Sequence, residues 1–294
     1  MMRNTLIETG NAKINLFLDV IGKRLDGYHD LHSCMQTIAL SDTVSAECRE
    51  SGARRIVLTV SDGVLPCDEK NLAYRAAELF LDEIDAGGCE WRLHIEKRIP
   101  VAAGLGGGSA DAAAVLRLMN RYYGNPLSEA ALGALGVRLG ADVPFCISGG
   151  TCRCRGIGDI LTQLQAPPDY TVLVARDGEG VSTPEAFALL DQRFGDFSEH
   201  APRDPEAIYT ALSGGNVQAL AGCVYNVFEE VIFPVRPKAQ ALKRFLKEHG
   251  AVCALMSGSG PSVFGIFQSD ARAEVCAAAL HQRGIFAAVC RTVG

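Results

Sequence analysis

No apolar run in this chain of 294 residues approaches the roughly 18 residues of a membrane span, and the opening MMRNTLIETGNAK lacks the apolar core of a signal peptide. The expected location is the cytoplasm, with no membrane partner. Blocks of like charge are also missing. With hydrophobic residues at 48% and charged residues at 21%, this excludes a disordered or extended solvated chain. A net charge of −6 leaves no basic face of the kind that nucleic-acid binders carry, so no nucleic-acid partner is expected and any bound anion must be held locally. Internal repeats, low-complexity tracts and heptads are absent, which excludes solenoids and coiled coils. Cysteine is not scarce at eleven, but its spacing forms no disulfide or metal framework. Contexts such as Val252-Cys253-Ala254 read as reduced core positions, and Cys152-Arg153-Cys154, with no second cluster, reads the same way.

What is present suffices for two domains of ordinary size with a cleft between them. The division is expected at 158/159, where Asp159 to Pro168 reads as a passage closing on Pro167-Pro168. From Asn11 to Val20 the chain alternates, placing Ala12, Ile14, Leu16, Leu18 and Val20 on one face and Lys13, Asn15, Phe17 and Asp19 on the other. This predicts a half-buried strand presenting Lys13 and Asn15 together. GKRLDGYHDLHS follows as a turn-rich loop. Further strands are expected at Arg55–Val60 and Glu90–Glu96, with a helix through Leu72, Ala76, Leu79 and Phe80 between them. Another helix should run from Ser109 to about Tyr122, and Ser128 should cap one that ends near Gly140. In the second half, the strand YTVLVAR precedes a helix capped by Thr183 with Pro184 at its first position. Then come helix Pro237–His249, Gly250 as a stop, strand VCALM, a glycine loop, strand VFGIF, helix Asp270–Arg283, Gly284 and strand IFAAVCR, an order that implies an α+β sandwich. Gln192 to Ala207, rich in charge and proline, reads as a solvated connection.

The stretch PVAAGLGGGSADAAA from Pro100 to Ala114 concentrates glycine at Gly104, Gly106, Gly107 and Gly108 ahead of a helix. Backbone N–H groups reach a phosphate only where no Cβ blocks them, and a helix starting at the loop adds its positive dipole end. A P-loop of G-x-x-x-x-G-K-[ST] type is excluded, because no lysine or arginine lies between Arg98 and Arg117. A dinucleotide fingerprint fits poorly: the third glycine is misplaced and a proline opens the segment. Taken alone, the loop fits a close helix-to-sheet packing device as well as a phosphate grip. Two other motifs bear on that choice. Ser257-Gly258-Ser259-Gly260-Pro261-Ser262 carries more small residues than a hairpin needs, which implies close approach to another loop or a ligand. Leu139-Gly140-Ala141-Asp142-Val143-Pro144-Phe145 sets one carboxylate among apolar neighbours, where a bare cap or turn role is the alternative.

Together AKINLFL at 12–18, GYH at 27–29, PVAAGLGGGS at 100–109, GADVPF at 140–145 and SGSGPS at 257–262 resemble the galactokinase, homoserine kinase, mevalonate kinase and phosphomevalonate kinase (GHMP) superfamily. Within it they resemble the branch that acts on a cytidine diphosphate derivative of methylerythritol. The resemblance implies a two-domain fold, the N-terminal domain like ribosomal protein S5 domain 2 and the C-terminal one ferredoxin-like. It also implies phosphorylation of the substrate's 2-hydroxyl in the non-mevalonate isoprenoid route, with ATP as donor and magnesium delivered with it. Asp142 would be the base and Lys13 its neighbouring cation. The ATP segment would comprise Lys97 and Pro100, Val101, Ala102, Ala103, Gly104, Leu105, Gly106, Gly107, Gly108, Ser109 and Ala110, with no metal ligand named. Tyr28 and Phe187 would flank the cytosine, His29 would hydrogen-bond it, Asn15 would meet the erythritol part, and Thr183 would border the substrate. The branch often has a serine where Ala110 stands, which puts one phosphate or magnesium contact in question. The rivals are a homoserine- or mevalonate-type kinase, which has no cytosine for Tyr28 and His29 to recognise, a catalytically silent nucleotide-binding module, and a nicotinamide oxidoreductase.

Overall fold

The computed structural model describes residues 5–165 and 169–294. Its first half contains strands β1 (Leu6–Lys23), β2 (His29–Glu50) and β3 (Arg55–Val60), helix α1 (Leu72–Glu83), strand β4 (Cys89–Glu96), and helices α2 (Gly107–Tyr122), α3 (Glu129–Leu139) and α4 (Val143–Ser148). There follow β5 (Thr151–Arg155), β6 (Ile160–Gln163), β7 (Thr171–Arg176), α5 (Thr183–Phe194), α6 (Glu206–Ser213), α7 (Val217–Leu220), β8 (Tyr225–Asn226) and α8 (Glu229–Val235). The chain ends with α9 (Pro237–Glu248), β9 (Cys253–Met256), β10 (Val263–Phe267), α10 (Asp270–His281) and β11 (Phe286–Arg291). Among the described residues no helix is long and apolar enough to cross a membrane. The chain forms two compact units, each drawn from several segments, and β1 and β2 contribute to both.

The first unit takes the N-terminal residues through Ala12, Ser41–Ile99 and Gly106–Ser148. The later half of β2 pairs antiparallel with β4, from Thr43 opposite Glu96 to Glu50 opposite Cys89, and β3 joins β4 in parallel. Alternation along β4 sends Trp91, Leu93 and Ile95 into a core shared with Phe80 of α1 and the apolar side of α2. Alanine dominates α2 because α2 is buried against its neighbours: Ala110, Ala112, Ala113 and Ala114 are all enclosed. Gly10 of β1 permits the same closeness, since a Cβ there would stand 2.8 Å from the carbonyl oxygen of Ala110. Ser128 caps α3 as expected, its hydroxyl accepting from the Ala131 amide at 3.2 Å.

The second unit takes Lys13–Leu40, Pro100–Leu105 and Gly149–Gly294. Its four-stranded antiparallel sheet runs β11-β7-β10-β9, with α9 and α10 packed on it. Read as β7-α9-β9-β10-α10-β11, this is the ferredoxin-like βαββαβ order, with α5 through α8 inserted after its first strand. Gly250 and Gly284 end α9 and the turn after α10 with φ of +95° and +70°, as their positions in the sequence imply.

Several expectations need correction. β1 is not half-buried: Lys13, Asn15 and Asp19 are enclosed along with the apolar face, because β8 pairs beside β1 and loops cover its polar side. The loop predicted at GKRLDGYHDLHS is only a turn between β1 and β2, and β2 itself was not legible. Its alternation is broken by buried Ser33, Gln36, Thr37 and Asp42, most of which find hydrogen-bond partners far along the chain. The expected passage at Asp159 contains β6, which forms a hairpin with β5, while Pro167-Pro168 lies outside the described residues. α2 starts at Gly107, two residues before Ser109, and Ser182 rather than Thr183 caps α5. Cys152 and Cys154 lie buried in β5 as free thiols, and burial pushes the Cys152 thiol up to about 11.

Gln192–Ala207 is not a solvated connection. Phe197 is buried, and Asp19, with 0% exposure, pins the segment to β1 by accepting from the Arg203 amide at 2.8 Å and meeting His200 Nε2 at 2.9 Å. Removing a buried acceptor strands its donors. Asp19→Ala is therefore expected to cost about 2–4 kcal/mol in urea unfolding and to expose this segment to limited proteolysis. Wild-type stability and an uncut segment would contradict the pinning role.

Candidate active site

In the second unit the start of the first glycine loop meets the second glycine loop backbone to backbone. Ser257 Oγ donates to the Gly104 carbonyl at 2.9 Å, and the Ser262 amide donates to that of Ala103 at 3.3 Å. Gly104 is left-handed at φ +74°, and a Cβ on it would lie 2.0 Å from the Ser257 carbonyl oxygen. No other residue fits there. Gly258, at φ +54°, is confined from the other side by the Gly104 oxygen. Asn226 shapes the second loop, its amide donating to the carbonyls of Met256 at 2.7 Å and Gly258 at 2.9 Å. The close loop approach expected from the sequence is thus observed.

Lys13 lies beside this contact. Its amide donates to the Leu105 carbonyl at 3.0 Å, and its ammonium lies 3.3 Å from where a Cβ on Gly258 would stand. The ammonium donates to Asn15 Oδ1 at 2.8 Å, Asn15 Nδ2 to Ser33 Oγ at 2.8 Å, and Ser33 Oγ to the Phe17 carbonyl at 2.9 Å. This chain orients the Asn15 amide and holds Lys13, which is only 5% exposed. Sequence reading missed Ser33 because an isolated serine in an undetected strand carries no signal.

A turn at 24–28 leads from β1 into β2 and carries Tyr28, with His29 directly after it. Tyr28 is exposed at the turn, 59% open to solvent, whereas His29 is buried. The His29 ring stacks on Phe187 at 4.7 Å between centroids, and its Nε2 meets Asp191 Oδ1 at 2.7 Å. Asp191 also accepts from Lys23 at 2.6 Å. Burial disfavours the Asp191 charge, but the hydrogen bonds and charges of Lys23 and His29 outweigh it and hold the carboxyl below its ordinary value. Thr183 Oγ1 approaches Ser259 Oγ at 3.4 Å, beside the second glycine loop. Val101 and Ala102 are exposed, Ala103 and Leu105 are buried, and Arg176 grips the Val101 carbonyl at 2.6 Å. Ala102 is left-handed at φ +51°, a conformation costly for any residue with a Cβ.

In the first unit, Gly106 at φ +70° precedes α2 and supplies no side chain to cap it. The first-turn amides of Gly107, Gly108 and Ser109 thus meet the requirements of an anion grip. Ala110 is enclosed against Gly10, whereas the preceding Ser109 is half-buried. Asp142 immediately precedes α4, and its carbonyl accepts the Cys146 amide at 3.0 Å.

Lys97, expected at the nucleotide edge, has its side chain engaged within this unit. Its side chain is 7% exposed, and its ammonium sits between two buried acids, donating to Asp42 Oδ2 and, at 2.7 Å, to Asp111 Oδ2. Asp42 also accepts the amides of Arg98 and Ile99. Burial lowers the lysine's proton affinity, but the two carboxylates prevail and raise its pKa. For Asp111, burial dominates and Asp42 adds to it against the pull of Lys97, so its carboxyl rises to about 7. Both acids escaped sequence reading, since neither belongs to a motif.

Folding therefore raises the proton affinity of Asp111. The stability this confers is complete below the unfolded value of about 4 and is lost as pH rises through about 7. Urea unfolding of wild type and Asp111→Asn should show the wild type losing ground to the variant between about pH 4 and about pH 7. A difference that stays constant would mean that this carboxyl titrates normally.

The fold and its paired glycine loops define a protein of the GHMP kinase class: the family "GHMP kinases N terminal domain" matches residues 71–150 and "GHMP kinases C terminal" matches residues 206–285. The chain is 42% identical over 257 residues to the 4-diphosphocytidyl-2-C-methyl-D-erythritol kinase of Caldicellulosiruptor saccharolyticus, covering 87% of this chain and 86% of that protein. It is 40% identical over 282 residues to the protein of the same name from Clostridium botulinum, covering 96% and 98%. A crystal structure of 4-(cytidine 5'-diphospho)-2C-methyl-D-erythritol kinase matches it with a TM-score of 0.82 at 34% identity, covering 98% of this chain and 100% of that one. The chain belongs to the 4-diphosphocytidyl-2-C-methyl-D-erythritol kinase family.

Proposed function

We propose that this chain transfers the γ-phosphoryl group of ATP to the 2-hydroxyl of 4-diphosphocytidyl-2-C-methyl-D-erythritol, a step of non-mevalonate isoprenoid precursor synthesis. The observation that carries the reading is the family relationship over nearly the whole chain, with Lys13, Tyr28, His29, both glycine loops and Asp142 all in place. The residues through 158 form the ATP-binding domain in this reading, and 159–294 form the second domain.

Phosphoryl transfer leaves the protein little covalent work; alignment and charge neutralisation dominate. In this reading the amides of Gly106 to Ser109 and the dipole of α2 hold the phosphates, with the backbone of Pro100 to Leu105 continuing the loop and Ala110 closing it. The uncapped helix start supports an anion at that point. Magnesium enters with ATP and, when bound, neutralises phosphate charge. No residue is assigned as its ligand: Asp42 and Asp111 each already face the Lys97 ammonium.

Asp142 accepts the proton of the attacking hydroxyl, and Lys13 favours its ionised form and helps orient the hydroxyl. Asn15, held by Ser33, meets the erythritol part. Tyr28 and Phe187 flank the cytosine, with Thr183 at the substrate's edge. His29 buttresses Phe187, and because its Nε2 is committed to Asp191, Nδ1 is the ring atom with which it would meet the base.

Asp142→Ala should lower kcat by at least about 100-fold while ATP still binds. The purified chain should phosphorylate the cytidine compound and ignore homoserine and mevalonate. Turnover of either alternative without turnover of the cytidine compound would refute the assignment.

A further inference from the structure

The connection 100–106 carries the predicted phosphate grip, and its two ends are tied by groups that no family motif includes. Asp42 accepts the backbone amides of Arg98 and Ile99 and the ammonium of Lys97. That ammonium reaches on to Asp111, within the second turn of α2. The same closeness shows at Gly107, where a Cβ would stand 3.1 Å from Ile99 Cγ2 and 3.5 Å from Lys97 Nζ. The exit of β4 and the start of α2 are thus bolted together through three buried charged side chains.

Burial makes this arrangement costly unless each charge has partners. Asp42 has its partners in full. Asp111 does not: among the described residues its Oδ1, in a residue only 2% exposed, has no hydrogen-bond partner. Asp111 therefore stays in place against a desolvation cost, its Oδ2 accepting from the Lys97 ammonium at 2.7 Å. A contact retained at such a cost, at the base of the loop, implies a task beyond packing.

We propose that Asp111 is a positioning residue for the nucleotide: by holding the Lys97 ammonium against α2 it fixes the span of the loop from Ile99 to Gly107, so that the loop's amides are set before ATP arrives. Lys97 serves as a strut in this arrangement rather than as a nucleotide ligand. A loop whose ends are fixed loses less freedom on binding, so the clamp acts on nucleotide affinity and leaves the chemical step alone.

The inference rests on the ATP reading above, and one set of measurements separates the two. Asp111→Ala leaves Lys97 paired with Asp42, so no buried charge loses its last partner. It should raise the KM for ATP, and the Kd for ATP measured by calorimetry, about tenfold. Its kcat should stay within about threefold of wild type, with the KM for the cytidine substrate unchanged. Asp111→Asn, whose amide oxygen still accepts from Lys97, should recover most of this, to within about threefold of wild type, and supplies the test should the alanine variant fail to fold. An ATP KM equal to wild type in either variant at native thermal stability overturns the clamp. So does a parallel loss in kcat, both KM values and melting temperature, which marks general loosening. A wild-type chain that binds no ATP overturns instead the reading on which the clamp depends.

Discussion

Between Gly104 and the turn at Ser257–Gly258 two backbones touch with no room for a side chain on either, and the second unit's share of the candidate site is built outward from that contact. Left-handed glycine makes the approach possible, and the Ser257 hydroxyl fixes it. Lys13 draws its place from the same contact, through its amide on Leu105 and its ammonium beside Gly258. A Cβ at Gly104 would overlap the Ser257 carbonyl, so the loops would part and the lysine would lose one wall of its pocket.

Within the two units, polar groups are buried in two distinct ways. The chain from Lys13 through Asn15 and Ser33 to the Phe17 carbonyl is linked donor to acceptor, and such chains hold side chains in single orientations. The group formed by Asp42, Lys97 and Asp111 is different, since one ammonium serves two acids and a carboxylate oxygen is left over. A lysine in that position cannot act as an open cation for phosphate. In the proposed reading, phosphate charge within this unit would be met by backbone amides and the α2 dipole, consistent with a loop that has no lysine of its own.

Much of the fold was legible because the signals were local. Ser128 and Gly140 bound α3, and Gly250 and Gly284 close their helices at positive φ. The strand YTVLVAR and the glycine stops after α9 and α10 already marked the strands and helices that build the second unit's sheet, in the order the structure shows. Misreadings arose where a residue's partner lies far along the chain. Gln36 sits in a strand because Thr151 and the Val293 carbonyl satisfy its amide. Asp19 reads as a solvent-facing strand residue until His200 and Arg203 fold onto it, and that contact also turns an apparent linker into packed structure.

The sequence by itself determined what the glycine loop can offer an anion: residues without side chains, leading into a helix and with no lysine inside the loop, leave backbone amides and the helix dipole as the means. It also determined the family, since its motifs are short and contiguous. Only the tertiary structure decided that the Lys97 ammonium lies between Asp42 and Asp111, and that His29 is buried against Phe187. The reason is physical: whether a charged side chain faces water, a ligand or another charge depends on the burial that distant segments impose, and local sequence does not encode that burial.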